Sequence, residues 1–311
     1  MPAPRIALFA ESADWHARRL ARALAAQGVR AVRLSLGACG IRTGEGCGLV
    51  LPGFADAPPA AAIVRQIAAG SFEQVTLRLG VLHALRELGV PVCNDARAIE
   101  RCVDKSMTSF LLHRAGIPTP RTWVAESPEA ARAVVRREAR PGRPLVLKPL
   151  FGSQGRGLRL IDGVDALPPA EEVAGVYYLQ RYVSGRSGGW RDWRVFVIGG
   201  RAVAAMIRHG VEWRTNAARG ARCEGGAAGG AIAELAVAAA AAVGADFAGI
   251  DVIADAGGRL LVLEVNSMPA WRALQQVSET DIAGALAAHV ATRLGRRPRR
   301  TAPGARPAEA A

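Results

Sequence analysis

The chain has 311 residues, half of them hydrophobic and only 5% aromatic, enough for two or three domains whose cores are filled by aliphatic side chains and alanine. Forty basic residues against 27 acidic ones give a formal net charge of +13; the arginines are dispersed, with no basic run interleaved with aromatics, which argues against nucleic acid as the main substrate and suits anionic small molecules. Cys39, Cys47, Cys93, Cys102 and Cys223 form no C-x-x-C pair, no signal peptide opens the chain and no apolar run reaches the ~20 residues of a membrane span, so the expectation is a cytoplasmic enzyme rather than a disulfide scaffold, a zinc ribbon or a membrane protein.

Residues 5–10 are expected as a strand, 15–27 as an amphipathic helix closed by Gly28, and 29–36 as a second strand, a β-α-β start on a small parallel sheet. No G-x-G-x-x-G follows the first strand, so a dinucleotide site is not expected. Residues 37–70 have no clear period and are left unplaced. Residues 72–88 carry apolar side chains at helical spacing (Val75, Leu79, Leu82 and Leu85/Leu88). A short strand at 90–93 follows, and Asn94/Asp95 cap the next helix. A helix at 104–115 is stopped by Gly116-Ile-Pro-Thr-Pro120, and Ser127-Pro128-Glu129 opens another.

Residues 143–149 form a strand carrying Lys148. The loop Gly152-Ser-Gln-Gly-Arg-Gly157 and a strand at 158–161 come next. A glycine loop between strands can turn its N–H groups toward phosphates; the alternative is an ordinary glycine hairpin, and the Walker pattern is absent. Residues 176–183 are a strand, and 190–198 with 201–208 form a hairpin about Gly199-Gly200, a register that sets Asp192 opposite Ile207. A loop with Trp213-Arg-Thr-Asn216 and a helix at 232–243 follow. A last helix at 281–294 ends at Gly295, before an Arg-rich tail.

Residues 249–254 and 259–266 read as a buried hairpin across Asp255-Ala-Gly-Gly258. Glu264 and Asn266, two apart, point to one face, and Asp251 sits at matching height on the partner strand. Two carboxylates and an amide oxygen in an apolar frame are costly unless a charge offsets them. A hard divalent cation does so, and Mg²⁺ commonly combines one or two carboxylates with substrate phosphates. The alternative is a surface hairpin with a wet polar face.

Of the 40 basic residues only Lys105 and Lys148 are lysine, and asparagine occurs only at 94, 216 and 266. Such depletion marks a GC-rich coding bias, under which a surviving lysine points to a position that needs a compact ammonium rather than a guanidinium fork.

Together these motifs resemble the ATP-grasp superfamily, specifically the RimK-like glutamate ligases, over roughly residues 90–295. The residues that carry the resemblance are Asp104-Lys-Ser-Met107 with Gly116–Pro120, Val146-Leu-Lys-Pro149 before the glycine loop, Asp192-Trp-Arg194, Trp213–Asn216, and Gly249-Ile-Asp251 with Glu264-Val-Asn-Ser-Met-Pro269. Asp14-Trp-His16, Phe72-Glu-Gln-Val75 and the stretch from Ala270-Trp-Arg272 through Gln275 look most like the tetrahydromethanopterin- or methanofuran-associated branch.

The resemblance implies an α/β fold of the grasp type. Residues 1–95 would form a small parallel-sheet domain, 96–184 a central lobe, 185–295 a C-terminal lobe with the metal site, and 296–311 a disordered basic tail. It implies ATP binding by Lys105, Lys148, a phosphate lid of Gly152, Ser153, Gln154, Gly155 and Gly157, and an adenine-side strand of Gln180, Arg181, Tyr182 and Val183. Arg181 stands where glutamate is common. Asp192 would be an acid of the nucleotide pocket. Arg208, Arg214 and Asn216 would serve the reacting groups, with Arg272 a further candidate cation for the amino acid. Asp251, Glu264 and Asn266 would hold Mg²⁺, two ions, with Mn²⁺ as a substitute.

The implied reaction joins a small-molecule carboxylate acceptor to an amino acid, L-glutamate, through an acyl phosphate. It requires no nucleophilic side chain, and His16, His83, His113, His209 and His289 form no catalytic spacing. Other readings are a ligase acting on a protein or another acid–amine pair, and a non-catalytic ATP-binding regulator. No membrane is expected, and homo-oligomerisation is left open.

Overall fold

The computed structural model describes residues 2–44, 46–55, 57–152, 155–184, 189–215 and 220–294. Ser153, Gln154, Asn216, Gly295 and the tail at 296–311 lie outside the described residues.

β1 (Arg5–Phe9), α1 (Trp15–Ala26) and β2 (Arg30–Leu34) open the chain, and a short hairpin of β3 (Gly40–Ile41) and β4 (Leu49–Val50) follows. With β5 (Ala62–Val64), α2 (Phe72–Glu87) and β6 (Val92–Cys93) these complete a parallel sheet in the order β2-β1-β5-β6. Asp14 caps α1 by accepting from the Ala17 N–H, and Ser71 opens α2 in a reciprocal box with Gln74. β5 is the strand that sequence pattern left unplaced. Its three residues are all buried, so neither length nor alternation marks it.

Asn94, expected as half of a helix cap, has a different task. Asp95 alone caps α3 (Ala96–Val103), accepting from Ala98 N at 2.8 Å. The Asn94 side chain is fully buried, and its Oδ1 accepts from the N–H groups of Asp246 (2.6 Å) and Phe247 (3.1 Å). Its Nδ2 donates to the carbonyls of Phe247 and Ser267, both at 2.7 Å. One amide thus ties the first sheet to two later strands. Close by, ligand atoms of Cys93, Asp246 and His289 converge within 4.8 Å, a cluster their sequence spacing does not reveal, and Arg293 pairs with Asp246 there.

α4 (Lys105–Arg114) is capped by Asp104. β7 (Thr122–Ala125), α5 (Pro128–Glu138), β8 (Leu145–Lys148), β9 (Arg159–Ile161) and β10 (Tyr177–Arg181) follow, and the strands form an antiparallel sheet ordered β7-β10-β8-β9. The third sheet, β13-β12-β11-β14-β15, is also antiparallel. It comprises β11 (Trp190–Ile198), β12 (Arg201–Gly210), β13 (Arg222–Gly226), β14 (Phe247–Ala254) and β15 (Leu260–Asn266). α6 (Gly230–Val243) packs on it, and α7 (Arg272–Gln276) and α8 (Ile282–Leu294) close the described chain.

The β11–β12 turn has Gly199 and Gly200 at φ of 55° and 76°, the double positive φ of a tight hairpin turn. The expected register nevertheless fails beyond it. Val197 faces Ala202 but Phe196 faces Ala204, so Val203 is an extra residue in a bulge. The slip of one places Asp192 opposite Arg208, not Ile207. Because side chains alternate along a strand, this moves Arg208 onto the face that carries Asp192.

The parallel sheet and the third sheet share one apolar core: Leu20, Leu24 and Ile63 pack in the same cluster as Phe196, Phe247, Trp271 and Leu286. At ~1.5–3 kcal/mol per large buried side chain, this fixes the first sheet against the third. No helix among the described residues is long and apolar enough to cross a membrane.

Candidate active site

A cleft opens between the second and third sheets. Its floor follows from strand register. Arg208 pairs with Asp192 across β12–β11, Arg194 with Asp251 across β11–β14, and Asp251 with Glu264 across β14–β15. Asp192 and Arg194 are two apart on β11, so these pairs lie on one face. Two carboxylates directly opposite each other destabilise a sheet unless cations stand nearby, and here they do. Arg208 Nε and Nη2 donate to the two Asp192 oxygens at 2.7 and 2.5 Å, and Nη2 lies 3.1 Å from Asp251 Oδ2. Arg194 grips Asp251 with Nε and, at 2.8 Å, with Nη2. Gly249 permits this grip: a Cβ there would lie 3.1 Å from Arg194 Cδ and 2.9 Å from Pro269 Cβ.

Burial alone raises the Asp251 carboxyl, but Arg194 and Arg208 together hold it below the usual range. Burial drives Asp192 the other way, above its usual value, with Arg208 opposing.

The opposite wall carries the two lysines. Lys148, at the end of β8, donates to Gln180 Oε1 at 2.7 Å and stands 5.8 Å from the Tyr178 ring centroid. Burial pushes its ammonium down to about 8, partly offset by Glu264. Lys105, at the start of α4, donates to the carbonyls of Gly152 (2.8 Å) and Leu150 (3.3 Å), and burial lowers it too. Beyond them Gly157, at φ 71°, comes so near Pro149 that a Cβ would sit 2.7 Å from its Cγ.

Of the residues singled out by sequence, Lys105, Lys148, Gly152, Gly155, Gln180, Arg181, Tyr182, Val183, Asp192, Arg208, Arg214, Asp251 and Glu264 line this one cleft. Arg181 is turned to Glu138, and Arg214 makes two 2.9 Å bonds to Glu212. Asn266 lies opposite Gly249 and lines an adjoining cavity, as does Arg272. Asp251 and Glu264 with the Asn266 amide are a set of hard oxygen donors, and a carboxylate has about four lone-pair sites, so these residues fit a hard divalent cation. Asp192 and Asp251 are balanced by Arg194 and Arg208. Glu264 stands against Lys105 and Lys148, which leaves the cleft a surplus of positive charge for a polyanion.

Two residues escaped the sequence reading. The motif Asp192-Trp-Arg194 assigns Arg194 no role, although its position two beyond Asp192 is the signal that it shares the same face. Arg65, which also lines the adjoining cavity, falls in the unplaced segment just after the unrecognised β5.

Comparison with known proteins gives the family. The family model of the RimK-like ATP-grasp domain matches residues 102–290. A tetrahydromethanopterin:alpha-L-glutamate ligase of Methanococcus maripaludis is 36% identical over 200 residues, covering 62% of this chain and 67% of that one. The alpha-aminoadipate–LysW ligase LysX of Saccharolobus solfataricus is 31% identical over 64% of this chain and 73% of its own. The solved ATP-grasp ligase PsnB, in complex with a precursor variant, Mg and ADP, superposes with a TM-score of 0.73 at 23% identity, over 94% of this chain and 99% of that one. Cleft, register and relatives lead to one conclusion: the chain belongs to the RimK-like ATP-grasp family and is a carbon–nitrogen-bond-forming ligase.

Proposed function

We propose that the protein joins a carboxylic acid to the amine of L-glutamate at the expense of ATP, the acid being a cofactor of the tetrahydromethanopterin or methanofuran type. The observation that carries the reading is the convergence of the chain's only two lysines on one cleft whose floor holds Asp251 opposite Glu264. The tetrahydromethanopterin:alpha-L-glutamate ligases among the relatives support glutamate and an acceptor of the tetrahydromethanopterin type.

In this reading Lys105 and Lys148 hold the nucleotide phosphates under the glycine loop, and Gln180–Val183 line the base side. Asp251, Glu264 and Asn266 would hold Mg²⁺, two ions, with Mn²⁺ as a substitute, and the metal would supply charge neutralisation for the phosphates. An oxygen of the acid's carboxylate bonds to the γ-phosphorus as the bond to the ADP oxygen breaks. The lysines and Arg208 offset the charge that spreads over the transferring group. The amine nitrogen then bonds to the acyl carbon, phosphate leaves, and the amine proton passes to solvent. Arg214 and Arg272 stand as further cations for the anionic partners, and Asn216 as a polar group of the same loop.

The test uses an acid labelled with ¹⁸O in its carboxylate. One label is expected in released phosphate, with ADP as the nucleotide product. Label in AMP would mean adenylation and would overturn the mechanism. Label in phosphate with an amine other than glutamate would keep the mechanism and remove the amino-acid assignment.

A further inference from the structure

Behind the nucleotide cleft lies a second cavity of about 480 Å³, within the ~300–1,000 Å³ typical of small-molecule sites. It shares Gly152, Arg208 and Glu264 with the cleft, so whatever fills it meets the reacting end of the nucleotide. Its far wall is Arg65.

Arg65 follows β5 directly, and its N–H donates to Phe9 O at 2.9 Å, so it stands at the carboxyl ends of the parallel strands, the edge where open α/β sheets bind ligands. The residue is 9% exposed; its guanidinium lies 5.3 Å from the Trp271 ring centroid and donates through Nη1 to Met268 O at 3.1 Å. Its Nε is buried with no hydrogen-bond partner, and no carboxylate among the described residues pairs with it. Asp14, the acid whose charge acts on it, is committed to the Ala17 N–H and to His16.

A guanidinium held this way is costly unless an anion arrives to complete it. Arg194 and Arg208, on the same cavity, are already held by Asp251 and Asp192. Arg65 is therefore the buried cation there that makes no direct ion pair with a carboxylate among the described residues, Asp14 acting on it only at a distance. A planar guanidinium with donors left unengaged suits charge-assisted recognition of a carboxylate.

We propose that Arg65, presented by the N-terminal sheet, anchors a non-reacting carboxylate of a substrate in this cavity. The proposal rests on the ligase reading for its orientation toward the nucleotide. The carboxylate belongs either to the amino acid or to a second acid group on the acceptor, and the experiment separates them. Isothermal titration calorimetry of the full chain with ADP and Mg²⁺ uses L-glutamate and, separately, amine-free glutarate as probes, with wild type, Arg65→Met and Arg65→Lys.

Arg65→Met is expected to weaken carboxylate binding at least tenfold and Arg65→Lys at least threefold, with ADP affinity unchanged because Arg65 does not line the nucleotide cleft. Loss confined to L-glutamate assigns the amino acid, and loss confined to glutarate assigns the acceptor. Unchanged carboxylate affinity in Arg65→Met overturns the proposal, as does a wild-type protein that binds neither probe. Should Arg65→Met not fold, Arg65→Lys decides by the same rule. If ADP fails to bind while carboxylate binding still depends on Arg65, the ligase reading falls and this subsite stands.

Discussion

Lys148 offers the sharpest test of the nucleotide cleft. Burial lowers its ammonium from 10.5 to about 8, Glu264 raising it in part, Lys105 lowering it further and Asp251 raising it again. A phosphate-binding ammonium acts only when protonated. A group of pKa near 8 is about nine-tenths protonated at pH 7 and about one-tenth at pH 9, so apparent nucleotide affinity should fall roughly tenfold, ~1.4 kcal/mol, across that window. The nucleotide's own terminal phosphate, with a second pKa near ~6, is ionised throughout.

Folding stability should move in the opposite sense. The unfolded lysine holds its proton up to about 10.5 while the folded one releases it near 8. Between those values the unfolded state binds more protons, and stability of the nucleotide-free protein rises with pH, by up to about 3 kcal/mol. Calorimetric titration with ADP and Mg²⁺ at pH 7, 8 and 9, beside urea melts at pH 8 and 10, measures both. Lys148→Arg should bind more weakly and show no pH dependence over the same range. Wild-type affinity that is flat from pH 7 to 9, or a decline that persists in Lys148→Arg, would refute the reasoning.

Three further outcomes follow from the floor and the core. Glu264→Gln keeps the side chain's shape but removes one of the two facing carboxylates, so the protein should melt within about 1 kcal/mol of wild type yet lose ADP formation in the presence of acid and amine; undiminished turnover would contradict the metal assignment. Arg208→Met strands Asp192 and Asp251 with Arg194 alone, at a cost of about 3–5 kcal/mol. Because the stranded carboxyls then take up protons more readily folded than unfolded, the deficit in urea melts should be smaller at pH 5 than at pH 7, and a deficit independent of pH would count against the network. Asn94→Ala leaves four backbone groups, three of them buried and one part-buried, without their partner and should cost roughly 3–5 kcal/mol at the urea midpoint, whereas a loss under about 1 kcal/mol would mean that the clamp carries little.

Much of the site was legible because its signals are local. Glu264 and Asn266 share a face by strand alternation alone, but Asp251 lies opposite Glu264 only because the β14–β15 ladder slips by one: Val252 faces Val262 and Asp251 faces Glu264, so Leu263 is an extra residue, where an unbroken ladder from the turn would set Asp251 opposite Leu263. The two lysines stood out by rarity, and the fold brings both to the cleft that holds Glu264. Arg208 was found by resemblance but placed wrongly by geometry. Counting back from Gly199-Gly200 assumes an unbroken ladder, and Val203 breaks it. No residue at 202–204 announces the bulge, since alanine and valine fit either face of a buried strand. Yet without that extra residue Arg208 would point away from Asp192, and two buried acids would lack their shared cation.

The other half of the site was hidden for a different reason. The pieces proposed for phosphate recognition are contiguous — a strand ending in lysine, a glycine loop, a hairpin with acids — and each can be read where it stands. The second cavity is assembled from residues 14, 65, 194 and 272, and its contacts span the chain: Arg65 reaches Met268, 203 residues away. It depends on β5, whose three residues Ala62-Ile-Val64 look like any short apolar stretch until β1 and β6 flank them. It depends also on Asn94, which locks β6 to β14 and so fixes how far the Arg65 edge stands from the ends of β14 and β15. Neither signal is a motif, because neither residue type has a fixed neighbour in sequence. The clamp and the cation are nevertheless one arrangement. A cavity wall that must present a buried charge needs a rigid backing, and a four-bond amide at the neighbouring strand of the same sheet provides it. The rigidity of the Asn94 junction is thus a condition for Arg65 to meet a ligand, and the Asn94→Ala variant should lose carboxylate affinity along with stability while ADP binding, seated on the other face of the cleft, is retained.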